Sequence, residues 1–275
     1  MPLPRVGTCA DHERQEQAQP LLRAPVDTIA APLFPRGLPW VNVPEGEQVS
    51  ILQRGRPLLV EFWDFCRPNS MRTLPYLKAW HERYADEGLR TVGVHSPGFG
   101  PARDEDAVRA AVERLEIPYP VLIDTEFVLW QDYENEGWPA RYLFDGRARL
   151  FEFHYGEGAY AETEAAIQEL LGLEREPLAP LRPEDEPGAL LAPPSEDREG
   201  AYSGPYEAGG VWVVVEGAGT LVASAAGESA ALTLDGPGAY PLFEHVRHTS
   251  GELVIDPGEG VRVLATCFTP GLLEG

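Results

Sequence analysis

Glu61-Phe62-Trp63-Asp64-Phe65-Cys66-Arg67-Pro68-Asn69-Ser70-Met71-Arg72-Thr73-Leu74-Pro75 is the stretch on which the fold turns. It begins inside an apolar run, Pro57 to Trp63, too continuous to alternate, as a strand buried on both faces of a parallel sheet requires. It ends in a helix. Asn69 and Ser70 are good caps, Leu74, Leu77, Trp80, His81 and Tyr84 recur at spacings of three and four, and Gly88 supplies a stop. Outward from there, Leu89 to His95 reads as a second strand, Asp104 to Leu115 as a helix, Tyr119 to Ile123 as a third strand and Glu126 to Tyr133 as a short helix. Strands Ala140 to Phe144 and Leu150 to His154 flank an Asp145-Gly146 hairpin signal, and Glu162 to Leu171 is an amphipathic helix. Strand and helix alternate before the hairpin, so the prediction is an α/β sheet with helices on its faces.

The remaining chain reads differently. Residues 173–200 hold six prolines among many acids and predict an extended, semi-rigid linker. Beyond it, short runs (Val211 to Val215, Thr220 to Ser224, Ala230 to Leu234, Leu253 to Ile255, Val261 to Cys267) separated by glycine turns predict a small antiparallel β domain. The expected organisation is a flexible arm over 1–34, the α/β domain over 35–172, the linker, and a β module over 201–275.

The chain has 275 residues, with 22 Lys plus Arg against 44 Asp plus Glu, a net charge of −22. That charge argues against nucleic acid and against an anionic membrane surface, both of which are held by basic residues. With 43% hydrophobic residues the chain nonetheless can bury a sizeable core. Three scattered cysteines, Cys9, Cys66 and Cys267, exclude a disulfide scaffold and read as reduced. No signal-peptide stretch is visible at the start, so the expectation is a cytoplasmic protein.

The quoted stretch resembles the thioredoxin family. Arg72-Thr73-Leu74-Pro75-Tyr76-Leu77-Lys78-Ala79-Trp80, Gly93-Val94-His95, Trp138-Pro139-Ala140 and Gly156-Glu157-Gly158-Ala159-Tyr160-Ala161-Glu162-Thr163 are more closely similar to the DipZ and TlpA-like redoxins, over about residues 35–172. The resemblance implies a thioredoxin fold, a central mixed sheet with flanking helices. It also implies a C-terminal module of the DipZ type, an all-β sandwich or jelly-roll-like domain similar to carbohydrate-binding modules. Thiol-disulfide exchange in this family needs no cofactor, and none is expected.

The family places a C-x-x-C pair at the N-terminus of this helix, where the helix dipole and free N–H groups stabilise a thiolate. An aromatic residue four positions before the first cysteine and a proline five after the second set the register. Trp63 and Pro75 then put Arg67 at the first cysteine position and Ser70 at the second. Both thiols are absent, so dithiol exchange by this pair is impossible, and the expected protein is a binding or interaction module without redox activity. The alternative is an oxidoreductase or antioxidant acting through Cys66 as a lone thiol, its pKa lowered by Arg67 and Arg72; against it stands a small apolar cysteine packed under the helix. A peroxiredoxin is disfavoured because Trp63 stands where Thr or Ser is needed.

Further positions follow from the resemblance. Glu61 matches the family's buried proton acceptor, which here either pairs with an arginine or faces water. Pro139 matches the cis-proline, so that Trp138 lines a groove for an extended protein or peptide partner. Arg67, with Asn69 and Ser70 as donors, could hold a small anion at the helix N-terminus; a plain solvated arginine is the alternative. His95 and His154 are too few for a metal site, and none is expected; His245 and His248 read as loop residues. Tyr202, Tyr206, Trp212 and Tyr240 form either a sugar-binding platform or ordinary β-domain core.

Overall fold

The computed structural model describes residues 22–23, 29–43 and 55–273; the expected arm over 1–34 falls mostly outside them. Two short strands, Leu22–Arg23 (β1) and Trp40–Val41 (β2), precede the central strand Leu58–Trp63 (β3). There follow Pro68–Tyr84 (α1), Arg90–His95 (β4), Glu105–Arg114 (α2), Val121–Ile123 (β5), Val128–Asp132 (α3), Ala140–Phe144 (β6), Leu150–Tyr155 (β7) and Tyr160–Leu171 (α4). The seven strands order as β1-β7-β6-β3-β4-β5-β2. β3, β4 and β5 run parallel, and β6 and β7 add antiparallel on the other side. This is the mixed sheet of a thioredoxin fold.

The unbroken apolar run in β3 has its reason in this arrangement. Leu58, Val60 and Phe62 enter one core with Val92, Leu122 and Trp130, while Leu59 and Trp63 enter a second with Trp80, Tyr119 and Tyr160. Side chains alternate between faces along a strand, so Glu61 shares the second face with Leu59 and Trp63.

Helix α1 starts earlier than Asn69 and Ser70 suggest. Arg67 is its N-cap with extended backbone (φ −112°), and Pro68 follows in the first turn, where its missing N–H costs nothing. Ser70 works as a brace, its hydroxyl accepting from the Asp64 N–H at 3.2 Å. Helix α3, by contrast, starts late, because Phe127 is left-handed (φ 58°) and Asp124 takes over capping, its carboxylate accepting from the N–H groups of Val128 and Trp130 at 2.7 and 2.9 Å.

The C-terminal part is all β: Leu191–Ala192 (β8), Arg198–Glu199 (β9), Gly204–Gly217 (β10), Gly219–Ala225 (β11), Glu228–Leu234 (β12), Gly238–Pro257 (β13), Val261–Thr269 (β14) and Gly271–Leu272 (β15). Six of these form an antiparallel sheet, order β12-β11-β13-β10-β14-β9, and β15 pairs with β8. His245 and His248, expected in a loop, lie on β13, which continues for 20 residues because bulges in its pairing with β10 let both strands bend without breaking.

Val211-Trp212-Val213-Val214-Val215 is buried throughout for the same reason as β3. Val211, Val213 and Val215 face the β domain's own core, whereas Trp212 and Val214 join the α/β core together with Phe65, Cys66 and Trp80. Ala265 and Cys267 of β14 do likewise, so one hydrophobic core runs through both parts of the chain. Among the described residues, no helix is long and apolar enough to cross a membrane.

Candidate functional site

At the junction of β3 and α1 the organising residue is Asp64, fully buried. Its carboxylate accepts from the Cys66 N–H at 2.8 Å and from the Gly98 N–H at 2.6 Å, and His95 Nε2 lies 3.5 Å from it. His95, also fully buried, stacks on Phe65 and meets Trp63 edge-on. The loop between β3 and α1 is thus pinned from behind. Sequence reasoning passed over Asp64, although an Asp leaving a strand two residues before a tight turn is an Asx-turn signal.

Arg67 is neither solvated nor reaching outward. It is 3% exposed, and its guanidinium lies over the rings of Trp138 (4.6 Å) and Phe99 (5.2 Å). Desolvated cation–π contacts contribute about 2 kcal/mol each, more than an exposed ion pair. A Cβ on Gly98 would fall 2.5 Å from Arg67 Nε and 2.8 Å from Asp64 Oδ2, so a glycine is needed there for the side chain to fit. At the N-cap of α1 this chain thus has a buried arginine plug.

Cys66 has no exposed surface and is a free thiol. Burial pushes its pKa well above the ordinary range, Asp64 pushes the same way, and Arg67 and Arg114 only partly oppose them. The expected activation by Arg67 and Arg72 therefore fails: desolvation outweighs Arg67, and Arg72 is engaged elsewhere. The strand of the β domain that lies across this loop closes it further, the Ala239 N–H donating to the Phe65 carbonyl at 2.8 Å.

Glu61 does not face water. It is 3% exposed and sits opposite Arg141 in the β3–β6 register, but neither carboxylate oxygen has a hydrogen-bond partner among the described residues. Burial raises its pKa to about 8, with Arg141 pulling the other way. Arg141 instead spends one N–H on the Gly158 carbonyl at 2.5 Å and lies over Tyr160. Nearby His154 Nε2 donates to the Glu157 carbonyl at 2.8 Å, and its pKa falls to about 4 because burial and Arg141 disfavour its charge.

The peptide bond between Trp138 and Pro139 is cis, and the Trp138 indole donates to the Ser96 carbonyl at 2.8 Å. Trp138, Arg67 and Asn69 line a cavity of about 540 Å³. Its other walls are the 154–162 loop, residues 184–194 and the end of β14 with Phe268 and Thr269. Glu61 and Trp63 lie behind this surface rather than on it: neither lines the cavity. Sequence reasoning did not anticipate that residues 173–200 and the β domain complete the site.

The four β-domain aromatics do not make an exposed platform. Tyr206 and Trp212 are buried, Tyr202 and Tyr240 are half-buried, Tyr206 stacks on Phe268, and Trp212 belongs to the shared core. Among the described residues no cluster of three or more His, Cys, Asp or Glu side chains could hold a metal ion.

No protein-family model matches the chain. Protein DipZ of Mycobacterium bovis is 28% identical over 289 aligned positions that take in 84% of this chain and 41% of the relative, and DipZ of Mycobacterium tuberculosis matches equally. The chain thus spans about two fifths of the length of the DipZ relatives. Thiol-disulfide oxidoreductase YkuV of Bacillus subtilis is 26% identical over 116 residues, 42% of this chain and 78% of the relative. A thioredoxin-like protein solved in its oxidised form superimposes with a TM-score of 0.46 at 26% identity, covering 53% of this chain and 97% of that one. With the mixed sheet already in view, these sequence relatives support a thioredoxin-like redoxin domain of the DipZ and TlpA type in this chain.

Proposed function

We propose that this chain is a binding protein on a redoxin fold, without thiol-disulfide exchange at its motif, and that its ligand occupies the cavity beside Trp138. One observation carries the reading. At the N-terminus of α1 the two motif positions hold Arg67 and Ser70, and the neighbouring Cys66 is fully buried with a raised pKa. An attacking sulfur must be exposed and ionised, and Cys66 is neither.

A cavity of about 540 Å³ suits a small molecule or a short peptide segment. Its charged lining is Glu157, Glu162, Glu184, Asp185, Glu186 and Asp197 against Arg67 and Arg72. Arg67 already lies over two rings and Arg72 is paired with Glu157 and Glu184. This balance favours a neutral or cationic ligand over a small anion at Arg67.

Insulin reduction with a dithiol reductant tests the reading. Wild type and Cys66→Ser should both stay at the uncatalysed rate, and turnover by wild type that disappears in Cys66→Ser would overturn it.

A further inference from the structure

The segment between the two domains carries a feature that the binding reading does not need but its geometry demands. Glu184 to Ala189 form part of the cavity wall, and residues 181–183 lead into them. Almost nothing apolar holds them: Leu181 and Leu190 are 49% and 74% exposed, and Glu186, Pro187 and Gly188 are exposed as well. The hold is polar. Arg72 on α1 pairs through Nε with Glu157 at 2.7 Å and through Nη2 with Glu184 at 3.1 Å. Arg182 pairs with Asp185 at 2.9 Å and donates to the Arg72 carbonyl at 2.8 Å. Tyr76 OH donates to Asp185 at 2.7 Å and accepts from the Leu181 N–H at 2.8 Å.

The segment is anchored firmly on both sides of this stretch. Before it, the Leu178 N–H donates to Glu164 at 2.8 Å and Leu178 packs on the shared core. After it, β8 pairs with β15 and the Leu273 N–H donates to the Leu190 carbonyl. Gly188, with φ +84° and no atom within 4 Å of an added Cβ, offers a turn free to change. A stretch with strong ends and an ionic middle opens locally at a lower cost than either domain unfolds.

We propose that residues 181–189 are a gate over the cavity, latched by the Arg72–Arg182–Glu157–Glu184–Asp185 cluster, and that ligand enters when the latch releases with both domains intact. The gate rests on the binding reading for its purpose, but not for its test. The cluster has two positive and three negative members, partly buried at 7 to 21% side-chain exposure, so salt screens it while the apolar anchors are indifferent to salt.

Hydrogen exchange of the full chain, read by peptide, compares wild type with Glu184→Gln/Asp185→Asn, and with Glu216→Gln, which breaks an exposed pair with Arg262 in the β domain. In parallel, Ala161→Cys, on the cavity wall, is placed in each background and its maleimide labelling rate measured. Exchange over 181–189 and labelling at position 161 should both rise at least about tenfold in the double variant. Wild type should move the same way between about 0.05 and about 0.5 M salt. Peptides from β6 and β10, and the Glu216→Gln protein, should be unchanged. Unaltered exchange, exchange that rises across both domains, or faster exchange without faster labelling would each overturn the gate. Because no ligand and no redox assay enters, such a failure leaves the binding reading standing, and insulin turnover would sink that reading without touching the gate.

Discussion

Glu61 is the residue whose burial has the clearest measurable consequence. Its folded pKa of about 8 lies above the ordinary 4.5, so between those values the folded state holds a proton that the unfolded chain has released, and stability falls as pH rises. His154, with a folded pKa of about 4 against 6.5, acts in the opposite sense, adding stability as pH rises from about 4 to 6.5. The two roughly cancel between pH 4.5 and 6.5. Above 6.5 only Glu61 remains, at a limiting slope of about 1.4 kcal/mol per pH unit. Urea denaturation should therefore show stability dropping by about 1 to 2 kcal/mol from pH 6.5 to 8. Glu61→Gln should be flat over that window, and a wild type as flat as the variant would show that Glu61 is ionised in the folded protein. The acid was legible as a position in the resemblance; that it is buried without a hydrogen-bond partner among the described residues was not, because the sequence offered only water or an arginine, and the arginine facing it, Arg141, turns to the Gly158 carbonyl.

At the scale of elements, the β domain depends on a close crossing of strands. Gly209 in β10 lies so near the chain entering β15 that an added Cβ would meet the Pro270 oxygen at 2.1 Å and the Gly271 Cα at 2.4 Å. Both are backbone atoms and cannot swing aside. Gly209→Ala should cost at least the roughly 1 to 3 kcal/mol of ordinary overpacking and lower the melting temperature by several degrees. Gly227→Ala is the instructive comparison, since its φ of +86° is strained but nothing lies within 4 Å; its cost should be about 1 kcal/mol. Equal losses at the two sites would mean that the crossing relaxes freely. The strands of both domains were largely visible as apolar runs, and their boundaries were not. β13 reads in the sequence as a loop with a short strand after it, since bulges and the pairing partner on β10 keep its polar half extended.

For the whole molecule, the shared core makes the two domains one folding unit. Trp212, Val214, Ala265 and Cys267 pack with Phe65, Cys66 and Trp80, the Arg114 guanidinium donates to the Pro237 carbonyl, and residues 173–200 are bonded to both sides. Heating should give a single cooperative transition by calorimetry, and Cys66 should become reactive to a thiol reagent in that same transition. Two resolved transitions, or Cys66 labelling well before the loss of far-ultraviolet ellipticity, would show the β domain detaching independently.

The sequence alone determined that a strand feeds a helix at residues 58–84 and that a second, β-rich part follows, and the resemblance aligns Arg67 and Ser70 with the positions of a dithiol. These are local properties, set by apolar period, turn chemistry and the spacing between Trp63 and Pro75. Only the tertiary structure decided that Arg67 is a plug between Trp138 and Phe99, that Cys66 is sealed beneath Ala239, and that an acidic, proline-rich stretch is ion-paired into a cavity wall. Those depend on which distant surfaces meet, and burial and charge pairing across tens of residues have no signature within any short window of sequence.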